Sequence, residues 1–195
     1  LKRVFDILFA IIALLLFLPL SIPISLWIIL ESKGGLFFRQ ERVGQWGKSF
    51  FILKFRTMYV DAEKYGSLTV GMRDNRITRS GYYLRKYKLD EFPQFINVLK
   101  GEMSVVGPRP EVKEFVELYT ADQLEILKLK PGITDYASIA YYEENKLLAS
   151  AEDPKKTYIE DIMPAKLSLN KKYKNEANIV TDLLIVGKTF FKFFR

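Results

Sequence analysis

The sequence contains neither cysteine nor histidine. Without cysteine there is no disulfide, no thiolate nucleophile and no thiolate-held metal, and the redox compartment stays open. Without histidine the usual proton carrier near neutral pH is missing, as is the commonest metal ligand. Any chemistry must therefore use carboxylates, Lys, Arg, hydroxyl groups or a hard cation bound through oxygen. Internal repeats and low-complexity segments are lacking too, and a composition 49 % hydrophobic and 27 % charged is that of a chain with a packed core. The 195 residues allow one ordinary domain plus whatever the N-terminus does. Acidic residues are the minority, 23 against 30 Lys and Arg, for a net charge of +7. That balance points to an anionic partner: lipid head groups, phosphorylated substrates or nucleic acid.

One long apolar run is present. Between Asp6 and Glu31 lie 24 residues without a charge. As a straight helix they reach about 36 Å, enough for a hydrocarbon core of roughly 30 Å. A signal peptide is not expected, since the run is long for one and no A-x-A-like site follows. Within it, LFLPLSIPIS places Pro19 and Pro23 four residues apart. Each interior proline costs a soluble helix about 3 kcal/mol relative to alanine and frees a carbonyl. Ser21 and Ser25 offer hydroxyl donors at that point. The expectation is two helical arms joined by a bend, each too short to cross. Lys2 and Arg3 precede the run, while Lys33, Arg39 and Arg42 follow it. The positive-inside rule asks for both ends on the cytoplasmic side, which a re-entrant hairpin satisfies. A kinked single span is the alternative, because membrane helices tolerate proline.

Beyond Gly34-Gly35 the alternation in FFRQERVGQWGKSFFILKF predicts two strands around a Gly-Gln-Trp-Gly turn. A charged connection runs from Asp61 to Ser80. YLRKYKLDEFPQFINVLKG reads as helical, with Pro93 near a start, Gly101 as a stop, and Phe92, Phe95 and Leu99 turned inward. MSVVGPRP reads as a short strand entering a rigid turn. Glu111 to Lys128 reads as one amphipathic helix, and Asp153-Pro154 starts another that breaks at Pro164. At the C-terminus Phe190, Phe191, Phe193 and Phe194 alternate with Lys188, Lys192 and Arg195, which suits an interfacial helix on anionic lipid or a core-facing aromatic stripe.

The densest polar constellation lies between residues 85 and 110. A helix starting near Asp90 puts Asp90, Gln94 and Asn97 on one face. Asp90 and Glu91 at a helix N-terminus sit where the dipole keeps an acid ionised and attracts phosphate. An ionised carboxylate is a competent nucleophile toward an activated phosphoryl group. It is also a hard ligand for Mg²⁺, which takes one or two carboxylates plus substrate phosphates. Arg85, Lys86, Lys88 and Arg109 surround the pair in sequence. An Asp-Glu pair ahead of a proline is also a common helix cap, so spacing alone leaves a structural role open.

These residues resemble the bacterial sugar transferases that start glycan assembly on a polyprenol carrier, the monotopic phosphoglycosyl transferases. The likeness runs nearly end to end through KRVFDILFA, FLPL, FRQERVGQWGKSFFILKFRTM, the stretch from Asp74 to Pro110, KPGIT and TDLLI. It implies an α+β, membrane-associated protein: a re-entrant helix-break-helix over 1–32 with its break at Pro19, Ser21 and Pro23, then a small mixed helical and β-hairpin cytoplasmic domain over 33–195 with interfacial amphipathic helices. It implies transfer of a sugar phosphate from a UDP-sugar to polyprenol phosphate with release of UMP. The reaction would depend on Mg²⁺ and pass through a sugar-phosphate ester on Asp90. Asp90 and Glu91 are then catalytic and metal-associated, with Glu91 an orientation or metal partner. Arg85 and Arg109 are phosphate contacts, and Lys54 and Arg56 further candidates. The implied setting is the cytoplasmic face of a bacterial inner membrane, among anionic lipids and without nucleic acid. Two positions depart from the family pattern: Leu18 stands where Ser often precedes the membrane proline, and Asp135 where Gly often follows PGIT. Neither the sugar nor the oligomeric state follows from the resemblance.

Three other readings compete, the plainest being a purely structural membrane scaffold. RITRSGYYLRKYKLDEFPQFINVLKG reads as a helix-turn-helix of a membrane-tethered nucleic-acid-binding protein. A metal-dependent glycosyltransferase would release UDP instead, but Asp-x-Asp, its frequent metal motif, is missing.

Overall fold

The computed structural model describes residues 1–60, 62 and 74–193, so most of the charged connection after Asp61, together with Phe194 and Arg195, lies outside the described residues. Helix α1 runs unbroken over Lys2–Glu31 with Pro19 and Pro23 inside it. The sequence suggests two arms here. Proline removes a donor but its fixed φ suits the helix, so the hydrogen bonding is interrupted without the helix ending. Ser21 Oγ donates to the Leu18 carbonyl (2.7 Å) and Ser25 Oγ to the Ser21 carbonyl (2.6 Å), not to the Leu15 and Pro19 carbonyls that the prolines free.

Only one stripe of α1 is covered: Asp6, Ala10, Phe17, Ile24 and Ile28 are buried. Leucines and isoleucines from Leu8 to Leu30 stand exposed on the other side. A soluble core helix would be enclosed on all sides. In α1 just 17 % of the most apolar 18-residue window is buried, and the helix is long and apolar enough to enter a bilayer.

A hairpin follows, β1 (Phe37–Val43) paired antiparallel with β2 (Ser49–Phe55) in the register Phe38↔Lys54 and Arg42↔Phe50. Trp46 and Gly47 take left-handed backbone at its turn. Next come α2 (Arg79–Lys86), α3 (Gln94–Lys100) and β3 (Ser104–Val106). The predicted helix over Glu111 to Lys128 is instead α4 (Lys113–Val116), α5 (Ala121–Leu124) and a 3-10 turn. Thr120 interrupts it, because its side chain caps a new start in a box with Gln123.

Strand β4 (Gly132–Thr134) lies parallel to β3, followed by α6 (Tyr136–Ala140), α7 (Glu144–Ala149) and α8 (Pro154–Thr157). Asp153 caps α8 as expected, accepting from Lys156 N at 3.0 Å. Pro164 does not break the chain; a π-helical turn over Tyr158–Ile162 leads into α9 (Met163–Glu176), with Pro164 in its first turn, where no backbone N–H is needed. Helix α10 (Ile179–Phe193) closes the described chain, and Val180, Leu183, Leu184, Phe190 and Phe191 on it are exposed.

The main core gathers Ala10 of α1, Ile52 of β2, Phe95 and Val98 of α3, Met103, Val105 and Val106 around β3, Tyr173 of α9 and Ile185 of α10. Leu99 is exposed, so of the three residues expected inward Phe95 is the buried one and Phe92 stacks on Phe17 with ring centroids 3.9 Å apart.

Both ends of α1 are fastened to this same domain. Lys2 Nζ donates to the Val106 carbonyl and Asp182, Arg3 to the Val98 and Leu99 carbonyls, and buried Asp6 accepts from Ser104 Oγ and Val105 N. At the other end Glu31 accepts the first amides of α2 from Arg79 and Ser80.

Candidate active site

Asp90 reaches its place through a strained turn. Helix α2 starts at Thr78, whose hydroxyl accepts from Gly81 N, and lies so close to β2's exit that a Cβ on Gly81 would stand 2.0 Å from the Thr57 carbonyl oxygen. After α2, Lys88 adopts left-handed backbone with φ 53°, uncommon for a residue with a Cβ. A single 3-10 turn over Leu89–Glu91 follows, and Pro93 then caps α3. The acidic pair thus lies on a short turn between two helices, not on α3 itself.

That turn lines a cleft of about 1090 Å³. Among the described residues its lining carries ten Lys and Arg side chains against five carboxylates, an excess that suits a diphosphate. The Asp90 carboxyl is buried and has no hydrogen bond or ion pair among the described residues. Burial, and next the neighbouring Glu91 charge, push its pKa up, against Lys54, Arg85 and Lys88.

Glu91 is the opposite case. Lys54 Nζ donates to its Oε1 at 2.9 Å, Arg109 Nη1 to its Oε2 at 3.2 Å, and Arg109 Nη2 to Oε1. Burial alone would raise its pKa, but Arg109 and Lys54 outweigh that and hold it well below the ordinary carboxylate range. Glu91 therefore holds two cations, Lys54 and Arg109, beside Asp90.

Arg109 is carried by the close crossing of β3 and β4, where Gly107 N donates to Thr134 O and Gly132 N to Pro108 O. Arg85 faces the cleft with its Nε donated to Thr57 Oγ1 at 2.9 Å. Arg56 lines the cleft as well, though its hydrogen bonds go to backbone carbonyls. It is buried, and its guanidinium donates to the carbonyls of Ile28, Ser32 and Lys33, tying off the end of α1. Pro19, Ser21 and Pro23 are on α1, and none of them lines the cleft. Asn97 is structural too, accepting from Leu53 N and donating to the Phe51 carbonyl.

Residues not singled out in the sequence complete the cleft. Arg42 donates to the Pro110 carbonyl and to Glu111 (3.3 Å), and Tyr158 donates its hydroxyl to Glu111. Glu144 pairs with Lys166 at 2.8 Å. Alternation of Phe38, Gln40 and Arg42 along β1 is the signal that could have placed Arg42; nothing local marks Glu144 or Lys166. Asp135 is fully buried at the start of α6, where its Oδ1 accepts from Ser138 N at 2.6 Å and its Oδ2 has no partner.

For Mg²⁺, no group of three or more Asp or Glu among the described residues could hold an ion alone. A cation bound chiefly by water and substrate phosphate needs only one or two carboxylates. Asp90, with both oxygens unengaged, fits that mode, whereas Glu91 would first have to release Lys54 or Arg109.

A one-sided apolar helix fastened at both ends to a domain with a cationic, carboxylate-bearing cleft suits a membrane-associated protein that handles phosphorylated ligands. The chain belongs to the bacterial sugar transferase family, whose model matches residues 1–195. It is 47 % identical over 133 residues to a putative undecaprenyl-phosphate N-acetylgalactosaminyl 1-phosphate transferase of Bacillus subtilis, covering 68 % of this chain and 70 % of that protein. It is 37 % identical over 191 residues to the UDP-N-acetylgalactosamine-undecaprenyl-phosphate N-acetylgalactosaminephosphotransferase of Aeromonas hydrophila, covering 96 % of this chain and 42 % of that one. With the UDP-glucose:undecaprenyl-phosphate glucose-1-phosphate transferase of Escherichia coli the identity is 36 % over 202 residues, covering 100 % of this chain and 40 % of that protein. This chain thus spans less than half the length of the latter two. The likeness to polyprenyl-phosphate phosphoglycosyl transferases drawn from the motifs holds. The helix-turn-helix reading does not gain support, since α3, its second helix, buries Gln94, Phe95, Asn97 and Val98.

Proposed function

We propose that this protein transfers a sugar phosphate from a UDP-sugar to polyprenol phosphate, releasing UMP. The observation that carries the reading is the buried Asp90 carboxyl, unpaired among the described residues, facing a cleft whose other charged groups are mainly cations. One Asp90 oxygen attacks the phosphorus that bears the sugar. The bond from that phosphorus to the bridging oxygen breaks, and UMP leaves with the electron pair. Arg85, Lys54 and Arg109 neutralise the diphosphate as charge moves onto the leaving group. Polyprenol phosphate then attacks the same phosphorus, the Asp90 ester bond breaks, and the free carboxylate returns. The acceptor phosphate is already largely anionic at neutral pH (second pKa about 6), so no strong base is required and the lack of histidine is no obstacle. Mg²⁺, held by Asp90 and the donor phosphates, would supply further charge neutralisation.

The membrane geometry proposed is re-entrant, on the cytoplasmic face of the inner membrane with anionic lipid around α10. Its support is that Lys2, Arg3 and Asp6 at one end of α1 and Ile28 and Glu31 at the other bind one and the same domain. A helix crossing the bilayer outright would separate those ends by about 30 Å of hydrocarbon. Membrane-impermeant labelling of Leu1→Cys and Lys33→Cys in oriented vesicles should modify both from the same side; labelling from opposite sides would establish a span.

The reaction is tested by nucleotide release from detergent-solubilised protein with a panel of UDP-sugars, polyprenol phosphate and Mg²⁺. UMP should appear, should vanish with a chelator, and should be lost in Asp90→Asn. Mass spectrometry of the donor-treated protein without acceptor should find a sugar phosphate on the wild type and none on Asp90→Asn. Release of UDP would discard this mechanism.

A further inference from the structure

We propose that the Glu144–Lys166 ion pair is the reader of the donor's sugar, an inference that rests on the reaction proposed above. The cleft is not uniform in charge. Around Asp90 its polar groups are Lys54, Arg85 and Arg109, the place for phosphates. On another wall of the cleft α7 and α9 bring Glu144 and Lys166 together, with Glu111 and Glu143 on the same lining. Each carboxylate there is matched by a cation, Arg42 with Glu111, Lys146 with Glu143 and Lys166 with Glu144, so this wall has little net charge with which to hold a diphosphate. Neutral hydroxyl groups find there both acceptors and donors.

The pair is also built to recognise shape. Lys166 and Glu144 side chains are only 13 % and 27 % exposed, yet both line the cleft. The Lys166 ammonium lies 5.3 Å over the Tyr158 ring, whose hydroxyl is held by Glu111, so neither partner is free to wander. Glu144 binds Lys166 through Oε2; its Oε1 has no hydrogen-bond partner among the described residues. A fixed acceptor with an open valence beside a fixed donor is what a vicinal diol or an N-acetylamino alcohol requires.

A nucleotide sugar has two neutral parts, and position decides between them. Lys166 lies over the Tyr158 ring, the Tyr158 hydroxyl is held by Glu111 two residues beyond Arg109, and Arg109 grips Glu91, the residue after Asp90. The wall therefore adjoins the phosphate that Asp90 attacks, and the group bonded to that phosphate is the sugar. Uridine is one phosphate further on. The opposite reach of the cleft, past Arg85 and Thr57, offers it Tyr59 and Tyr82.

The experiment is calorimetric titration of the full chain in detergent with UDP and with UDP-hexoses and UDP-N-acetylhexosamines, alongside the KM for each donor. Glu144→Gln, and Glu144→Gln with Lys166→Met to keep the charges balanced, should bind UDP as the wild type does. Both should lose about 10- to 100-fold in affinity for the wild type's preferred donor, the worth of a hydrogen bond to a charged group, with KM rising in step. Equal loss for UDP and donor would assign the pair to the nucleoside or to the fold, and no loss for either would remove it from recognition. Both overturn the inference and leave the reaction standing. A wild type that binds no uridine nucleotide would instead overturn the donor class, and the inference with it.

Discussion

Arg109 meets Glu91 with two nitrogens on two oxygens, Nη1 to Oε2 at 3.2 Å and Nη2 to Oε1, and Lys54 adds a third contact at 2.9 Å. A fork matched to a carboxylate is a contact that Lys cannot reproduce. The same guanidinium is 36 % exposed on its side chain, so part of it remains available to a substrate phosphate.

Arg109→Lys should accordingly keep the charge but lose the geometry. The expected cost is about 1–3 kcal/mol in stability, below the roughly 3–5 kcal/mol of a fully enclosed pair because water reaches Arg109. Donor turnover should fall about 10- to 100-fold. Thermal denaturation and UMP release measure the two effects separately, and a variant with wild-type turnover would remove Arg109 from the phosphate site.

The two adjacent acids should respond to pH in opposite ways. Burial raises Asp90's folded pKa, so between its unfolded and folded values the native state binds more protons and stability falls as pH rises. Glu91's folded pKa is lowered by its two cations, so its contribution is complete above its unfolded value and is lost only as pH falls through the depressed one. Asp90→Asn should therefore melt higher than the wild type near neutral pH, with the gap closing toward acid. Glu91→Gln should melt lower, and its deficit should shrink only at strongly acid pH. Melting curves carried from neutral pH to well below pH 4 decide both signs.

Gly81→Ala sets two effects against each other. In a helix alone alanine gains about 1 kcal/mol over glycine. Here the new Cβ would stand 2.0 Å from the Thr57 carbonyl oxygen, backbone that cannot give way cheaply. The clash wins, with a loss of about 2 kcal/mol or more. Because Thr57 also orients Arg85, UMP release should fall further than stability explains. A variant more stable than the wild type would mean that α2 and β2 part easily.

At the membrane end, Asp182 is fully buried and accepts from Lys2 Nζ at 2.5 Å and from Tyr173 at 2.6 Å. Asp182→Ala leaves the buried Tyr173 hydroxyl without that acceptor and unties α1 from α10. The expected loss is about 1–3 kcal/mol, moderated because Lys2 can turn to water. Protease nicking near the N-terminus should increase with it, and an unchanged melting point would show the knot to be incidental.

Much of the architecture is legible along the chain. The apolar run with basic flanks marks α1, the strand alternation marks β1 and β2, and the order Arg85, Asp90, Glu91, Arg109 marks the cleft, because each signal is carried by neighbours in sequence. The misleading signals are local as well. The apolar stripe from Glu111 to Lys128 gives no warning of Thr120's cap. Pro164 suggests a break that a π turn absorbs. Arg56, read as a phosphate contact, lines the cleft and in addition closes the carbonyl end of a helix some two dozen residues earlier, a role no local signal announces.

Sequence by itself determined the kinds of group available: no thiol, no imidazole, a surplus of cations, two adjacent carboxylates and one helix too apolar for water. Those are properties of composition and short spacing. Only the tertiary structure decided how they divide the work. Asp90 and Glu91 are chemically alike and adjacent, yet among the described residues one is left without a partner and the other is clasped by Lys54 and Arg109. Glu144 and Lys166 stand 22 positions apart and become a pair only where α7 meets the first turn of α9. Pairing across such distances depends on which faces pack together, and no spacing rule along the chain encodes it.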